Sequence, residues 1–357
     1  MNVFFDIQHL YYLPQYLPVK HALEKKSIHC HFILYNQNQL QKVLINYVKN
    51  EKLSYTLVNN SSEAKALYLD KKPHWIIFGN AFHDLEQIHQ ESKTAMMNHG
   101  VGPKSCYYDW SDCDIQHRFV EGQHRLKRLM ERFPAKKFID TGYAKLDPIV
   151  NNENSYLDLE KLGLDPNKET VLYAPTYYPS SIECLPDNFP ESLAKYNLII
   201  KPHYFSLIKD KYKNHRKIFK SWSQYGNVYI SSIEETSIIP FMSKASLLIS
   251  DASSTLFEFT ALNKPAIWCD FFKVRWSYRG IFKWRLNKRL DDDLKYFAKV
   301  AQQVVNTKDL VQQIDTQINN PQLKEQDRIE LTELLIGKVD GNSSKRITEY
   351  LINHKER

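Results

Sequence analysis

The sequence lacks the features that mark several specialised classes of protein. Only ten of its 357 residues are glycine, and it contains no internal repeat or low-complexity tract, which excludes fibrous and repeat architectures. The longest apolar runs, such as residues 75–78, fall far short of the ~20 residues that a membrane-spanning helix needs. The N-terminus has no basic segment followed by an apolar stretch, so we expect no signal peptide and a cytoplasmic location.

Cysteine is scarce and scattered. The five cysteines are an odd number and form no CxxC pair, a pattern that favours reduced thiols over disulfides or a zinc site. Residues 291–293 are three consecutive aspartates, which we interpret as a solvated helix start and not as metal ligands. We therefore expect no metal and no cofactor.

Length and charge set the broad class. A chain of 357 residues exceeds the ~250–300 residues at which a single hydrophobic core stops growing, so two domains are expected. The net charge of +7 favours an anionic partner, such as a membrane surface, a nucleotide, a phosphate-bearing polymer or nucleic acid. The sign of the charge does not choose among them.

Short apolar runs alternate with helix-compatible segments in both halves of the chain, which predicts βαβ units and parallel sheets. We expect one Rossmann-like domain over residues 1–150 and a second Rossmann-like domain with C-terminal helices over 151–357; the family resemblance described below implies that the first is the acceptor side and the second binds the nucleotide donor. Residues 147–154 are predicted as the linker, and 156–162 as a helix. No Walker A or GxGxxG sequence is present. The tandem pattern predicts an α/β fold with two facing halves and a ligand cleft between them. The predicted strands are 3–5, 31–35, 55–58, 75–78, 94–97, 118–120, 137–139, 170–173, 197–200, 227–230, 247–249 and 266–268.

The residues that directly follow these strands are the candidates for chemistry, because open α/β sheets bind ligands beyond the carboxyl ends of their strands. Five strand ends carry hydroxyls, histidines, a lysine or a glycine. These ends are Asn98-His99-Gly100, Asp140-Thr141-Gly142, Ala174-Pro175-Thr176, Lys201-Pro202-His203 and Ser250-Asp251-Ala252-Ser253-Ser254-Thr255.

The last of these ends passes directly into an apolar helix. Ser253, Ser254 and Thr255 at a helix start can hydrogen-bond phosphate oxygens beside unpaired backbone N–H groups. The alternative is a capping box made by Thr255 and Glu258, which needs no ligand. One cap leaves two hydroxyls and Asp251 without a role, so we predict a donor-phosphate site and leave the part played by Asp251 open.

Two histidines stand at strand ends. His99, which precedes Gly100, is the candidate general base, because an imidazole titrates near neutrality and glycine lets a substrate approach the backbone. His203 and Lys201 can stabilise charge on a leaving phosphate. The alternative for each histidine is an ordinary structural or surface role, since the chain has thirteen of them.

A basic and aromatic cluster follows the last predicted strand, over residues 275–280 and 283–285. It can clamp phosphate or stack a base. A membrane-surface patch and a solvated loop are equally compatible with this composition.

In sequence order, several of these motifs resemble the CDP-glycerol glycerophosphotransferase family of teichoic-acid and capsule enzymes. The resemblance covers about residues 95–285. The motifs are His99-Gly100, Thr141-Gly142-Tyr143 with Asp147, Leu172-Tyr173-Ala174-Pro175-Thr176, Ile199-Ile200-Lys201-Pro202-His203, Ser250-Asp251-Ala252-Ser253-Ser254 and Arg279-Gly280.

The resemblance implies a GT-B architecture and metal-independent transfer of glycerol phosphate from a CDP-alditol, with CMP leaving. It implies that His99 is the base, that Thr176, His203, Ser253 and Ser254 hold the diphosphate, and that Arg279 is a further phosphate contact. Together with the strand-end argument, the predicted sites are His99 and His203 as catalytic residues; Thr176, Lys201, Asp251, Ser253, Ser254, Thr255, Glu258 and Arg279 at the donor; and Gly100 and Lys104 on the acceptor side.

The chain departs from the family pattern at some positions. Ala144 stands where proline is usual after Thr-Gly-Tyr, Ala252 stands where an aromatic residue is usual, and Tyr204 follows His203 in place of proline. These changes are compatible with an altered donor or acceptor.

The resulting hypothesis is a cytoplasmic enzyme, peripheral on the inner face of the membrane, that transfers an alditol phosphate to a capsule, teichoic-acid-like or lipopolysaccharide acceptor. One rival is a GT-B glycosyltransferase that uses a CMP- or UDP-linked sugar. A second rival is a basic protein that binds nucleic acid or another polyanion. The preferred hypothesis includes no nucleic-acid partner.

Overall fold

The computed structural model describes residues 1–36, 40–102, 105–153, 157–273 and 291–355. The chain divides into two compact units. Unit 1 comprises Met1–His99, Cys106–Asn152 and Glu333–Arg357, and unit 2 comprises Gly100–Ser105 and Glu153–Thr332. The C-terminal stretch was expected to lie wholly in the second domain, whereas its last 25 residues belong to unit 1.

Within the described residues, each unit has one parallel sheet, as predicted. The sheet of unit 1 has seven strands in the order β3-β2-β1-β4-β5-β6-β7, and that of unit 2 has six in the order β10-β9-β8-β11-β12-β13. All twelve predicted strands are confirmed, and β13 is additional. The strands are β1 Asn2–Ile7, β2 His29–Tyr35, β3 Tyr55–Val58, β4 Trp75–Phe78, β5 Lys93–Met97, β6 His117–Val120, β7 Lys137–Asp140, β8 Thr170–Tyr173, β9 Asn197–Ile200, β10 Val228–Ile230, β11 Leu247–Ser250, β12 Ala266–Cys269 and β13 Gln302–Val304.

Both strand orders are those of doubly wound sheets, in which the direction of winding reverses once. The reversal falls between β1 and β4 in unit 1 and between β8 and β11 in unit 2. A crevice opens outside the carboxyl ends of the strands at such a switch point, and ligands of this fold class bind there. Each unit therefore has one edge at which functional residues are expected.

Helices connect the strands. The helix expected over residues 156–162 is wrong, because the described part of that segment, 157–162, holds turns that lead to Gly163. No helix in the described ranges is both long enough and apolar enough to cross a membrane. The α-helices are α1 Leu13–Glu24, α2 Gln41–Asn50, α3 Ser61–Lys71, α4 Glu86–His89, α5 Cys106–Asp109, α6 Gly122–Arg132, α7 Asp147–Val150, α8 Tyr204–Ile208, α9 Lys213–Trp222, α10 Ile239–Lys244, α11 Ser254–Thr260, α12 Phe297–Val300, α13 Thr307–Asn319, α14 Glu325–Leu335 and α15 Ser343–Asn353.

The core of unit 1 covers both faces of its sheet. Phe4 and Phe5 of β1 point to opposite faces, and each joins a separate buried cluster, as expected for a parallel sheet covered by helices on both sides. Ile347 and Leu351 of α15 belong to the same cluster as Phe5. The indole N–H of Trp75 donates to the carbonyl oxygen of Leu351 at 3.1 Å. The last helix is therefore an integral part of unit 1.

Asp147 attaches the start of α15 to unit 1. Its carboxylate is buried and accepts the backbone N–H groups of Ser343 at 3.2 Å and Ser344 at 2.6 Å. A carboxylate at this position satisfies orphan donors of the first helical turn and interacts favourably with the helix dipole. The predicted linker thus contains a residue that binds the end of the chain to the first unit.

Unit 2 is built around β8 and β11, its two central strands. Val171 and Tyr173 of β8 pack with Leu247 and Ile249 of β11, and all four side chains are fully buried. Phe189, Trp222 and further apolar side chains complete the cluster. A rigid pair of central strands fixes the positions of the loops that leave their carboxyl ends.

Asp6 near the end of β1 makes the stability of unit 1 depend on pH. Its Oδ2 accepts the hydroxyls of Tyr35 at 2.8 Å and Tyr68 at 2.6 Å, and burial raises its pKa from 3.8 to about 6. The folded state therefore binds the proton more tightly than the unfolded state between pH 4 and 6, so the free energy of unfolding falls as pH rises through this window. The expected fall is about 3 kcal/mol for two pKa units.

Asp6→Asn removes this component, because asparagine does not titrate. Urea unfolding at several pH values between 4 and 7 measures it as the difference between the wild-type protein and the variant. The pH dependence due to other carboxyl groups cancels in that difference. Identical slopes in the two proteins would contradict the assignment.

Candidate functional site

The predicted donor residues of unit 2 come together at one edge of its sheet. Strands β9, β8 and β11 are adjacent, and most of the predicted donor residues lie in the segments that follow the carboxyl ends of these strands. The edge includes the switch point between β8 and β11, where the fold class binds ligands. Thr176 follows β8, Lys201 and His203 follow β9, and Asp251, Ser253, Ser254 and Thr255 follow β11; Arg279 lies outside the described residues.

Asp251 organises the loop that follows β8. Its Oδ2 accepts the backbone N–H of Thr176 at 3.1 Å and the hydroxyl of Ser180 at 3.0 Å, and its Oδ1 accepts the backbone N–H of Ser181 at 3.1 Å. Asp251 is only 2% exposed, and burial raises its pKa to about 6 although these hydrogen bonds act in the opposite direction. The carboxylate therefore fixes the shape of the 176–181 loop.

The start of α11 is capped by Ser253. Its backbone is extended, its side chain accepts the backbone N–H of Thr255, and the hydroxyl oxygens of the two residues lie 3.1 Å apart. The alternative of a capping box made by Thr255 and Glu258 does not describe this helix start, because Ser253 is the N-cap and the helix begins at Ser254. Glu258 is fully buried in the middle of α11. The hydroxyl of Ser254, at the same helix start, takes no part in this capping interaction.

Gly102 lies directly against the first residue of α11. A Cβ atom at this glycine would stand 3.1 Å from the backbone nitrogen of Ser254 and 3.2 Å from its Cβ, which is close enough to force a shift. The segment Gly100–Ser105 belongs to unit 2. Of the two predicted acceptor-side residues, Gly100 belongs to this segment and Lys104 lies outside the described residues.

Lys201, which follows β9, is hydrogen-bonded to the loop that follows β10. Its ammonium group donates to the carbonyl oxygen of Glu235 and lies 5.9 Å from the ring centroid of Phe241. Burial lowers its pKa to about 8, because desolvation disfavours the charged form. Lys201 still carries a positive charge for most of the time at neutral pH.

His203 forms the N-cap of α8. Its Nδ1 accepts the backbone N–H of Phe205 at 3.1 Å, so the proton of the neutral imidazole resides on Nε2. The ring lies against Tyr177, with centroids 4.6 Å apart. Tyr177 belongs to the loop that Asp251 organises, and it also contacts Tyr212 edge to face. The cap and the tyrosine together orient His203 with Nε2–H as a donor.

In unit 1, His99 lies in a group of four aromatic side chains. Its ring stacks on Tyr12, with centroids 3.9 Å apart and planes 12° from parallel. The centroids of Tyr11, Tyr107 and Trp110 lie 5.5, 5.6 and 5.8 Å away. The Tyr107 hydroxyl is 3.5 Å from Nε2. His99 follows β5, which is adjacent to β4 at the switch point of this sheet.

The Thr-Gly-Tyr motif, residues 141–143, holds the backbone of His99 in place. The hydroxyl of Tyr143 donates to the carbonyl oxygen of His99 at 3.1 Å. Gly142 has a φ of +74° and leaves no room for a Cβ atom, which would lie 2.6 Å from Oγ of Ser343, so only glycine fits this position. The motif thus fixes the backbone of the candidate base and packs against α15.

Sequence reasoning missed Gln8, Asn80 and Tyr12. Gln8 follows β1 and Asn80 lies two residues after β4, and their side chains are hydrogen-bonded at 2.7 Å. Tyr12 donates to Asn80 at 3.1 Å. The signal was available, because the strand-end rule applies equally to residues 7 and 78, but the order of the strands was needed to single out these two ends.

The three consecutive aspartates form a helix start, as interpreted, but they are not all solvated, because Asp293 is buried. The side chain of Asp291 accepts the backbone N–H of Asp293 at 3.1 Å, which caps the 3₁₀ helix Asp292–Tyr296. Across the residues whose placement is described, no group of three or more His, Cys, Asp or Glu side chains is arranged to hold a metal ion. The basic and aromatic cluster of residues 275–280 and 283–285 lies outside the described residues.

A family model and a curated relative match the sequence. The model described as CDP-Glycerol:Poly(glycerophosphate) glycerophosphotransferase matches residues 14–353. The teichoic acid glycerol-phosphate primase of Bacillus subtilis (strain 168) is 24% identical over 187 residues, which are 52% of this chain and 44% of the relative. The matched region is thus less than half the length of that relative.

Solved structures with the same fold match almost the whole chain. The wall teichoic acid polymerase TagF has a TM-score of 0.66 at 16% identity and covers 99% of this chain and 88% of its own. A TagF variant soaked with CDPG has a TM-score of 0.65 at 15% identity, with 99% and 89% covered. UDP-GlcNAc 2-epimerase from Neisseria meningitidis, bound to UDP-GlcNAc, has a TM-score of 0.61 at 15% identity, with 99% and 100% covered. The predicted fold class, a GT-B type with two parallel-sheet units, is confirmed.

Proposed function

The chain belongs to the CDP-glycerol:poly(glycerophosphate) glycerophosphotransferase family, and on that premise we propose that it transfers glycerol phosphate from CDP-glycerol to an acceptor hydroxyl, releasing CMP. The observation that carries the proposal is the meeting of the predicted donor residues at one edge of unit 2. A TagF structure soaked with CDPG shares this fold. The proposed class is a transferase in teichoic-acid synthesis.

We assign the donor to the switch point of unit 2. Nε2–H of His203 is a donor for a phosphate oxygen, and the hydroxyl of Ser254 stands beside the N–H groups that begin α11. Thr176 lies in the loop fixed by Asp251, while Lys201 contributes positive charge beneath the strand end. Fixed donors and a desolvated cation stabilise the charge that grows on a departing phosphate. In this proposal Asp251 and Glu258 support the donor site from the interior without touching the donor.

The reaction forms one O–P bond and breaks another. The acceptor oxygen attacks the β-phosphorus of the donor, its proton passes to the neutral imidazole of His99, and the bond to the bridging oxygen of CMP breaks. CMP leaves with the bonding electron pair, and the acceptor carries glycerol phosphate through the new ester bond. Little covalent chemistry falls to the protein, so positioning and charge stabilisation supply most of the rate.

The proposal also covers the kind of acceptor and the cellular location of the reaction. A net charge of +7 supports association with an anionic membrane surface, where a lipid-linked capsule, teichoic-acid-like or lipopolysaccharide acceptor would be presented. We assign Gly100 and Lys104 to the acceptor side. The location would be the inner face of the cell membrane.

The alternative is transfer from a nucleotide-activated sugar. UDP-GlcNAc 2-epimerase, which binds UDP-GlcNAc, has the same fold, so the fold does not by itself distinguish the donors. The family match favours the CDP-alditol, and a donor assay separates the two functions directly.

We expect the purified protein to release CMP from CDP-glycerol when an acceptor hydroxyl is present. The assay incubates CDP-glycerol, CDP-ribitol, a CMP-sugar and UDP-GlcNAc separately with a glycerol phosphate oligomer and with a lipid-linked disaccharide. Nucleotide products are separated by ion exchange, and acceptor products are weighed by mass spectrometry. Vesicles of anionic or neutral lipid, added in parallel and sedimented, measure association with a membrane.

An acceptor heavier by one or more glycerol phosphate units supports the proposal. Turnover of UDP-GlcNAc or the CMP-sugar without turnover of either CDP-alditol would replace it by the glycosyltransferase. Boiled protein and an omission of acceptor serve as controls for donor hydrolysis.

A further inference from the structure

The ring of Tyr12 stacks on His99, a contact that the proposed chemistry does not use. The two ring centroids are 3.9 Å apart with the planes 12° from parallel, and Tyr12 is only 3% exposed. A buried ring at this distance covers one face of the imidazole and restricts its rotation, since interiors are close-packed. Tyr12 belongs to the short 3₁₀ turn Leu10–Tyr12 that precedes α1.

The position of the Tyr12 ring is fixed at its hydroxyl. The hydroxyl donates to Oδ1 of Asn80 at 3.1 Å, and Nδ2 of Asn80 donates to Oε1 of Gln8 at 2.7 Å. Gln8 and Asn80 follow β1 and β4, the two strands at the switch point of this sheet. The hydrogen-bonded chain thus connects the ring to the most rigid part of unit 1.

The side of the ring is held by a close backbone approach. A Cβ atom at Gly79 would lie 2.9 Å from Cδ2 of Tyr12 and 2.7 Å from the hydroxyl of Tyr16. Glycine at this position therefore admits both tyrosines against the end of β4. The Tyr16 hydroxyl donates to the carbonyl oxygen of Met97, two residues before His99. Two tyrosines of one segment thus contact β4 and the residues that lead to His99.

The stacked face of Tyr12 is the nearest described ring contact of His99, since the other three ring centroids lie 5.5–5.8 Å away. Tyr143 holds the backbone carbonyl oxygen at 3.1 Å but does not orient the ring. Tyr107 approaches the edge, with its hydroxyl 3.5 Å from Nε2, which is at the outer limit of a hydrogen bond. Tyr12 is the contact whose geometry selects one plane for the imidazole.

We propose that Tyr12, anchored through Asn80 to the switch point of unit 1, is a positioning residue that holds the His99 imidazole in the plane in which it accepts the acceptor's proton. The inference rests on the proposed role of His99 as base. A displacement of about 1 Å of a reacting group can lower a rate by about 100-fold. Tyr12 acts on the chemical step alone, because it stacks on the base in unit 1 and the donor is assigned to unit 2.

Kinetics of three variants test this inference. Tyr12→Leu removes the ring and is expected to lower kcat by about 10- to 100-fold with the KM for CDP-glycerol unchanged. Tyr12→Phe keeps the stacked ring but loses the anchoring hydrogen bond to Asn80, so its kcat is expected to fall between those of the wild type and Tyr12→Leu. Tyr350→Leu is the matched control, because Tyr350 stacks on His354 of the same unit with centroids 4.0 Å apart and planes 19° from parallel, and it is expected to leave kcat unchanged.

A spectroscopic measurement reports the position of the ring without turnover. In protein labelled with ¹³C-histidine, the His99 signal is identified by its loss in His99→Ala, and the ring current of Tyr12 is expected to shift it upfield. Tyr12→Leu abolishes that shift and Tyr12→Phe preserves it, if the inference is correct. Thermal unfolding of each variant confirms that unit 1 is folded.

The outcomes separate this inference from the proposed function. If His99→Ala abolishes transfer while Tyr12→Leu keeps kcat within twofold of the wild type, the positioning role is overturned and the base remains. Equal losses of kcat in Tyr12→Leu and Tyr350→Leu also overturn it, since they indicate loss of packing alone. If His99→Ala transfers normally, the assignment of the base fails and the positioning role fails with it.

Discussion

Replacement of His99 with alanine is expected to lower kcat for glycerol phosphate transfer by about 10²- to 10⁴-fold, the contribution of a positioned general base. Donor binding should not change, because the residues assigned to the donor lie in unit 2. The fold of unit 1 should also survive, since Tyr143 holds the backbone of His99 and not its ring. A large effect on kcat with an unchanged KM for CDP-glycerol would identify an interaction used in the transition state.

The measurement is steady-state CMP release with saturating acceptor, combined with calorimetric titration of CDP-glycerol. His354→Ala is a matched control, because His354 also stacks on a tyrosine in unit 1 but lies on the turn after α15. It should retain the wild-type rate. Transfer by His99→Ala at more than a tenth of the wild-type rate would show that another group takes the proton.

Replacement of Asp251 with alanine is expected to weaken donor binding by at least tenfold and to destabilise unit 2. It leaves the N–H groups of Thr176 and Ser181 and the hydroxyl of Ser180 without their acceptor, and each unsatisfied buried donor costs about 1–3 kcal/mol. Removal of the buried carboxylate, whose pKa burial raises to about 6, offsets part of this cost. The free energy of unfolding is therefore expected to fall by a few kcal/mol at pH 7.

Titration of CDP-glycerol and urea unfolding at pH 7 measure the two effects of Asp251→Ala. Asp251→Asn keeps one acceptor oxygen but turns an amide N–H₂ toward donors, so its effect should be intermediate. Asp187→Ala, which removes an exposed carboxylate of unit 2, controls for the change in charge. Wild-type donor affinity in a stably folded Asp251→Ala protein would separate the 176–181 loop from the donor site.

The strands were predictable because buried parallel strands are continuous apolar runs. Residues 75–78 and 247–249, for example, contain only apolar side chains, and both runs form central strands. β13 escaped prediction for the opposite reason. It has three residues, two of them glutamine, and among the described strands it lies at the edge and pairs only with β12. A strand of this kind takes its conformation from its neighbour and carries no periodic signal of its own.

The candidate site, like the fold, was predictable from the sequence only in part. Residue type and position at strand ends were sufficient to select His99, Lys201, His203 and Ser253, because chain direction in a parallel sheet places every strand end at one edge. The identity of the capping hydroxyl was beyond the sequence. Three hydroxyls occur in succession, and only the extended backbone of Ser253 distinguishes it from Thr255.

In the segment of residues 247–259, the local sequence determines the secondary structure, whereas the tertiary structure determines the contacts of Asp251. The sequence of this segment already determined a buried strand that turns into a helix, since hydrophobicity and helix capping are local properties. The partners of Asp251 lie 70–75 residues earlier in the chain, and Tyr12 lies 87 residues before His99. Only the strand order brings these groups together. Contacts between loops of different strands depend on that order, which no local pattern encodes, and they decide how the predicted residues are held.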